Sequence, residues 1–421
     1  MRSVLSIDVA NGKSEVLLIT EQGEVLIEPY EVKHCLNEFN LLKNKIDNLK
    51  LDDLTIFMES TSTYHLPIQR FFTKNNFNVQ VINPILGKNN TRNLRKTKTD
   101  IEDCYNLADL FFKNTVKIHT KEMNTIYSNM IELSRQEKHL TENIVRSKNR
   151  FKQIIANAFP EYTKCFTSND IYGETSLNFI KEFPHADIIK SKRIDALANN
   201  IYKSTKGYLP YSRCLAKAKK IKELANNSFP GIDINSCEVK NLINIIDIII
   251  YNSNKLNEVK QDIIHLAKQT PYFSIINSIY GIGETSTAQI IAELGDINRF
   301  ENIKQLNAFC GLDPTIVQSG KSINYNGPIS KRGNRNARKI LFITCCSIIR
   351  SSVLHDVDND ILLYYRKKQA ENKHFKECII ACSTKLLRTI FAMCKIIPYM
   401  CKNNITQNFK KIYICRYFCR V

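Results

Sequence analysis

The chain has 421 residues, 43% of them hydrophobic, and carries 60 Lys and Arg against 41 Asp and Glu, a formal net charge of +19. That length exceeds what one hydrophobic core serves and implies two or three domains, and the apolar fraction is enough for real cores, which excludes a disordered chain. The charge points to a polyanionic partner, because each Lys or Arg that neutralises a phosphate releases a condensed counterion; the competing reading is that the excess only keeps the chain soluble.

Residues 1 to about 84 read as strands broken by turns. Val4–Ala10 is an apolar run, Asn11-Gly12 is a hairpin signal, and Glu15–Thr20 and Glu24–Ile27 follow on either side of Gly23. Leu54–Met58 and Val79–Ile82 are further strands, separated by a helix over Tyr64–Asn75, so the pattern predicts a mixed α/β sheet. A helical pattern returns from Asp100 to Asn114. From 126 to about 160 the chain is strongly polar, with apolar residues such as Leu133, Leu140, Ile144, Phe151 and Ile155 at helical spacing. That suits either a coiled-coil or helical-hairpin arm or a solvated helix packed on its own domain. Residues 161–265 are helical, glycines and basic residues cluster from Pro271, and amphipathic helices run to about Met393. There is no internal repeat and no low-complexity linker.

Fourteen cysteines lack the spacing of a disulfide framework or a zinc site: no CxxC pair occurs, Cys345 and Cys346 are adjacent, and Cys378 and Cys382 lie one helical turn apart. Reduced, buried thiols in a cytoplasmic protein are expected. Asp8 interrupts the first apolar stretch, which argues against a signal peptide. Asn241–Tyr251 is too short and carries Asp247, which argues against a membrane span.

Four acids stand where a carboxylate needs a reason. Asp8 sits inside a Val/Ile strand, where an unpaired charge costs several kcal/mol, and Glu59 ends the strand LTIFM in the same way. Asp100 and Asp103 follow Thr99, a natural N-cap, and three residues apart they share a helix face. Together Asp8, Glu59, Asp100 and Asp103 offer hard oxygen ligands for one or two Mg²⁺ ions. Any one of them alone would read as a surface or capping residue.

Two later segments carry further candidates. In SIYGIGETSTAQIIA, Gly281 and Gly283 form a turn able to bring backbone N–H groups to a phosphate, a form similar to a helix-hairpin-helix element. In AFCGLDPTIVQSGKSINYNGPISKRGNRNARKIL, Ser319 lies in an expected exposed loop, and Lys321, Lys331, Arg332, Arg335 and Arg338 could hold a phosphate. A Ser hydroxyl needs activation to act as a nucleophile, and from the residues alone Ser319 reads as a loop serine without chemistry.

Taken together, the segments SIDVA, FMESTSTYH, KTKTDIEDC, SKNRFKQII, GIGETSTAQIIAELGDINRF, AFCGLDPTIVQSGK, ISKRGNRNARKIL and HFKECIIACSTKLLRTIFAM, in this order and over most of the chain, resemble the RuvC-like DEDD transposases of insertion sequences, a group related to Piv-type DNA invertases. The resemblance implies a RuvC-like (RNase H-like) α/β catalytic domain over 1–125, a helical coiled-coil-like arm over 126–265, a mostly α C-terminal transposase domain over 266–395 and a basic tail over 396–421. It implies Mg²⁺ ligation by Asp8, Glu59, Asp100 and Asp103, and it reverses the reading of Ser319, which becomes the nucleophile that links to DNA, with Ser322 the alternative. Implied partners are double-stranded DNA, a structured guide RNA and further copies of the chain in a homodimer or homotetramer whose active sites combine domains of different subunits. Two functions compete with recombination: a RuvC-like endonuclease or junction resolvase that hydrolyses DNA with water, and a non-catalytic nucleic-acid-binding protein. Within the resemblance, Ala337 stands where a larger apolar residue is common, and QSGKS carries fewer serines and glycines than usual.

Overall fold

The computed structural model describes residues 2–82, 99–113, 125–166, 171–319 and 323–402, with backbone alone over 316–319, 323–326 and 396–402. It divides into two compact units, Met1–Glu122 and Met123–Val421.

The first unit is built on a five-stranded mixed sheet. Strands β1 (Arg2–Ala10), β2 (Lys13–Thr20) and β3 (Val25–Lys33) form an antiparallel meander, and β4 (Asp53–Glu59) and β5 (Asn78–Ile82) add in parallel on the other side of β1, giving the order β3-β2-β1-β4-β5. The meander starts at Asn11-Gly12, a two-residue turn that pairs Ala10 with Lys13 and sets Gly12 at φ +76°, a conformation that costs glycine nothing. β3 runs six residues beyond the expected Ile27 despite Pro29. It is an edge strand, where the missing N–H interrupts no ladder.

Strand alternation sorts the side chains onto two faces. Leu5, Ile7, Val9, Val16, Leu18, Ile56 and Met58 pack on one face against Phe39, Leu42 and Ile46 of helix α1 (Leu36–Asn48) and Ile68 and Phe72 of α2 (Leu66–Lys74). Val4, Phe57 and Ile82 lie on the other face, under Leu107, Ala108, Leu110 and Phe111 of α3 (Asp100–Phe112).

In the second unit two long helices, α4 (Thr125–Ala158) and α10 (Cys237–Lys268), run antiparallel from one core to another. At one end Phe151, Ile154 and Ile155 meet Leu242, Ile245 and Ile246 in a core completed by shorter helices between Tyr162 and Asn226. At the other end Tyr127 and Met130 meet Val259, Ile263 and Ala267, in a core completed by α11 (Phe273–Asn277), α12 (Glu284–Leu294), α13 (Ile303–Cys310), α14 (Arg335–Leu354), α15 (Asp360–Ala370) and α16 (Phe375–Lys402). The polar 126–160 stretch is thus one helix of a hairpin whose two ends are packed.

Pro314–Ser319 and Ile323–Ile329, in a segment expected to be loop, form an antiparallel hairpin of strands β6 and β7, with Ser319 opposite Ile323 at its far end. The β-branched run Thr315-Ile316-Val317 and the pair Ile323 and Tyr325 favour strand on both sides of Gly320. The described cysteines are free thiols, most of them buried, with Cys35 and Cys237 exposed. Among the described residues no helix is long and apolar enough to cross a membrane.

Candidate acidic site and serine hairpin

Two of the four acids of the first unit lie at neighbouring strand ends, and the other two lie in the first turn of the helix that packs on the same face of the sheet. β1 and β4 pair in parallel register up to Ile7 opposite Met58, so the next step sets Asp8 beside Glu59 at the carboxyl ends of neighbouring strands. By alternation both belong to the face that carries Val4 and Phe57 and that α3 covers. On α3, Cys104, Leu107, Ala108 and Phe111 form the buried stripe. Asp100 and Asp103 extend that stripe by one helical turn toward the N-terminus, four residues before Cys104 and Leu107 respectively. Thr99 caps the helix, its Oγ1 accepting the Glu102 backbone N–H at 3.2 Å. A helix N-terminus also favours acidic residues in its own right, so the position of α3 over the strand ends carries the argument more than the acids' helical spacing does.

The electrostatics tie these groups together through Cys104 and add a residue that sequence reasoning missed. The Cys104 thiol donates to the Glu15 carbonyl at 3.3 Å. Burial pushes this thiol up to about 12; the Asp8 backbone acts in the opposite direction, while the charges of Asp8, Glu15 and Asp103 push the same way as burial. Glu15 pairs directly with Asp8 across the β1–β2 ladder, and cross-strand partners share a face. Partial burial raises the Glu15 carboxyl above its ordinary value, and Asp100 and Glu31 add to the rise while Lys13 opposes it. Lys13 is held at 2.6 Å by Glu31 on the neighbouring strand. Glu31 is also the cross-strand partner of Glu15 on β3, and like charges directly opposite each other are destabilising in an antiparallel pair. The signal for Glu15 was in the sequence: a two-residue turn at Asn11-Gly12 puts Glu15 opposite Asp8.

Among the described residues, no group of three or more His, Cys, Asp or Glu is placed to hold a metal ion. The donor set nevertheless suits Mg²⁺. It is all carboxylate oxygen, and Mg²⁺ is usually held by one or two carboxylates, with waters and phosphate oxygens in its other positions.

Ser319 belongs to the second unit, where the base of its hairpin is fastened closely. Ser330 donates its backbone N–H to the Asp313 carbonyl at 2.8 Å and its hydroxyl to the Asp313 carboxylate at 2.8 Å. Beyond β7 the chain crosses the end of α13: Lys331 N–H donates to Gly311 O at 3.2 Å and Asn334 N–H to Phe309 O at 2.7 Å. Gly333, at φ +130°, has no room for a Cβ, which would be driven into the Phe309 and Ala308 carbonyls. Asn334 then caps α14, its Oδ1 accepting from the Asn336 and Ala337 N–H groups. Its Nδ2 donates at 2.8 Å to Glu293, a carboxylate with no exposed surface that also binds Ser134 and the Arg135 guanidinium. The RGNRN segment is thus a clamp that joins the serine hairpin to α4 and α12.

The basic candidates divide accordingly. Lys331, Arg332 and Arg335 are exposed, as phosphate contacts must be. Arg338 is half-buried and donates to the Cys310 carbonyl at 2.7 Å, satisfying the end of α13. Gly281, at φ +79°, lets α14 approach, since a Cβ there would lie 2.9 Å from Ile348 Cα; Gly283 is the N-cap of α12, with open space around it. Lys321, Ser322 and the tail beyond Lys402 lie outside the described residues.

Comparison with known proteins bears on both units. A family model described as a transposase, of the DEDD and IS110 type, matches residues 5–160, and that of the IS116/IS110/IS902 family transposases matches residues 273–356. A pilin gene-inverting protein of Moraxella bovis is 27% identical over 145 residues, 34% of this chain and 44% of that protein. The transposase for insertion sequence element IS1111A of Coxiella burnetii is 27% identical over 156 residues, 37% of this chain and 42% of that protein. An uncharacterized 43.6 kDa protein of insertion element IS110 from Streptomyces coelicolor is 23% identical over 128 residues, 30% of each chain. The chain spans less than half the length of these curated relatives.

Proposed function

The chain belongs to the IS116/IS110/IS902 transposase family, and from that premise we propose that it cuts and rejoins double-stranded DNA, with the acids of the first unit as metal ligands and Ser319 of the second as nucleophile. The observation that carries this reading is the convergence of Asp8 and Glu59 on adjacent parallel strand ends, on the face capped by the Asp100 and Asp103 turn. The strand order β3-β2-β1-β4-β5 is the support for an RNase H-like first unit, and the close Gly281 turn is the support for a helix-hairpin-helix-like element in the second.

Asp8, Glu59, Asp100 and Asp103 would hold one or two Mg²⁺ ions, which supply charge neutralisation for a phosphate and polarise its oxygens. The protein's own groups do the rest. The Ser319 hydroxyl gives up its proton and forms a bond to phosphorus, one sugar oxygen leaves and takes up a proton, and the DNA stays joined to the serine until a second sugar hydroxyl displaces it. Conserving the phosphodiester energy in that link is what distinguishes rejoining from hydrolysis. Lys331, Arg332 and Arg335, next to the hairpin base, would hold flanking phosphates. The Glu293–Asn334 clamp keeps the hairpin base fixed, which is what a positioned nucleophile needs. A homodimer or homotetramer in the cytoplasm, directed to its sites by a structured RNA, completes the reading.

The test is covalent trapping on labelled duplex DNA carrying the element's ends, read on a denaturing gel. The wild-type protein is expected to give a protein-linked band in Mg²⁺, and Ser319→Ala and Asp8→Ala to give none. Mg²⁺-dependent cleavage that survives Ser319→Ala with no adduct would replace this reading with a water-using endonuclease.

A further inference from the structure

The face of the first unit that carries Asp8 is strongly acidic. Asp8 and Glu59 end neighbouring strands, Glu15 stands opposite Asp8 on β2, and Asp100 and Asp103 occupy the first turn of α3 over the same face. None of these five acids is buried, and the Asp100 charge reaches far enough to act on the Glu15 carboxyl. The positive end of the α3 dipole offsets part of the charge at Asp100 and Asp103. Lys13 is held by Glu31 at 2.6 Å, and Lys33 acts on Glu31 as well.

Two difficulties meet at this face, and each resolves the other. A DNA phosphate approaching it meets like charge, and a single carboxylate within about 4 Å repels a phosphate by up to roughly 4 kcal/mol at the dielectric of a protein surface. A divalent cation meets too few ligands, since among the described residues no group of three or more His, Cys, Asp or Glu is placed to hold one. Mg²⁺ demands an octahedron of oxygens and usually combines one or two carboxylates with waters and phosphate oxygens. We infer that the acids of the first unit take up a divalent cation and a DNA phosphate together, as one cooperative event, and hold either one weakly without the other. The phosphate supplies oxygens that the acids lack, and the ion cancels the repulsion between them. This inference rests on the reading of Asp8, Glu59, Asp100 and Asp103 as metal ligands and adds to it a condition for their use. The same acids could instead fill with metal before DNA arrives, and the two cases differ in what DNA does to the affinity for the ion. The coupling is reciprocal, so whatever factor DNA adds to the affinity for the ion, the ion adds to the affinity for DNA. Phosphate activation is thereby confined to a strand that is already bound.

The experiment uses Mn²⁺ as the probe and reads the free aqueous ion by electron paramagnetic resonance. The full chain carries Ser319→Ala, so that the strands stay intact, and is titrated alone and with a duplex bearing the element's ends; the duplex alone is the blank. The DNA-free chain is expected to bind the ion with a Kd of about 10⁻⁴–10⁻³ M or weaker, the range of open oxygen sites. The duplex is expected to tighten that uptake at least about tenfold, within the usual size of coupling between two ligands, and adding Asp8→Asn, with folding checked by circular dichroism, to remove the gain. In the reciprocal arm, fluorescence anisotropy of the labelled duplex at constant ionic strength should show the same factor on adding Mn²⁺. Without the ion, the Asp8→Asn chain should bind duplex at least as tightly as its parent, because one repelling charge is gone. Equal affinity for the ion with and without duplex, or a gain that survives Asp8→Asn, would overturn the inference. Tight, Asp8-dependent binding to the DNA-free chain would overturn it too, while leaving the metal-ligand reading in place. No Asp8-dependent uptake in either arm would remove both, and the Ser319-dependent adduct would still test strand rejoining by itself.

Discussion

Replacing Glu293 tests how the serine hairpin is held. Its carboxylate has no exposed surface and takes hydrogen bonds from Ser134, both terminal nitrogens of Arg135 and Asn334. Glu293→Ala leaves a guanidinium one-third exposed and an amide without their acceptor, in a place water reaches poorly. Removing one partner of a buried ion pair costs about 3–5 kcal/mol, and at about 2–4 °C per kcal/mol for a unit of this size or slightly smaller the melting temperature should fall by roughly 6–20 °C. Glu293→Gln keeps the shape but turns one acceptor into a donor facing donors, so a smaller loss is expected, about 1.5–3 kcal/mol for the charged hydrogen bond removed. Thermal unfolding followed by circular dichroism measures both, and a double-mutant cycle with Arg135→Met isolates the pair. A shift below about 2 °C for Glu293→Ala, or additive effects in the cycle, would refute the claim that this carboxylate fastens the clamp.

Two other outcomes follow from the local geometry. Glu15 has a raised pKa, so its contribution to stability is fully present below its ordinary value of 4.5 and is lost as pH rises through the folded value; Lys13, Glu31 and Asp100 face it and set how far that value moves. Glu15→Gln is therefore expected to raise the thermal stability of the metal-free protein above that range, by about 0.2–1 kcal/mol for relief of a like-charge cross-strand pair, and to match the wild type below about pH 4.5; a constant difference at all pH values would contradict the pairing. Gly333→Ala is expected to destabilise by at least about 1–3 kcal/mol, from backbone strain and collision with the Phe309 and Ala308 carbonyls, whereas Gly283→Ala, with open space around it, should unfold within about 1 kcal/mol of the wild type; the reverse order in denaturant titrations would show that the turn geometry is misread.

Much of the first unit was legible because its information is local. The Asn-Gly turn fixes the β1–β2 register, and alternation then assigns Asp8 and Glu59 to one face. The same register contained Glu15, which escaped notice because it lies in a strand that reads as ordinary amphipathic sequence. Helix α1 also escaped, although Phe39, Leu42 and Ile46 have helical spacing, because the surrounding strands dominated the pattern. In the second unit the misses have a different cause. Ser319 looked like loop because Gly, Asn and Pro crowd its neighbourhood, yet Gly327 and Pro328 sit within a hairpin strand. Arg338 read as a phosphate contact, and nothing in the sequence showed that its guanidinium also donates to a helix end 28 positions away. Asn334 and Glu293 gave no signal at all, since Glu293's partner Arg135 is 158 residues distant, and no periodicity encodes contacts of that separation.

On the proposed function, the strand ends at Asp8 and Glu59 and the first turn of α3 capture divalent cations. Replacing Mg²⁺ by Fe²⁺ and generating hydroxyl radicals at the bound metal cuts the nearby backbone, and mass spectrometry locates the cuts. The expected result is cleavage clustered at the ends of β1 and β4 and at the start of α3, suppressed by excess Mg²⁺ and abolished in Asp8→Asn. Cuts absent from all three segments, or unchanged in Asp8→Asn, would contradict the claim.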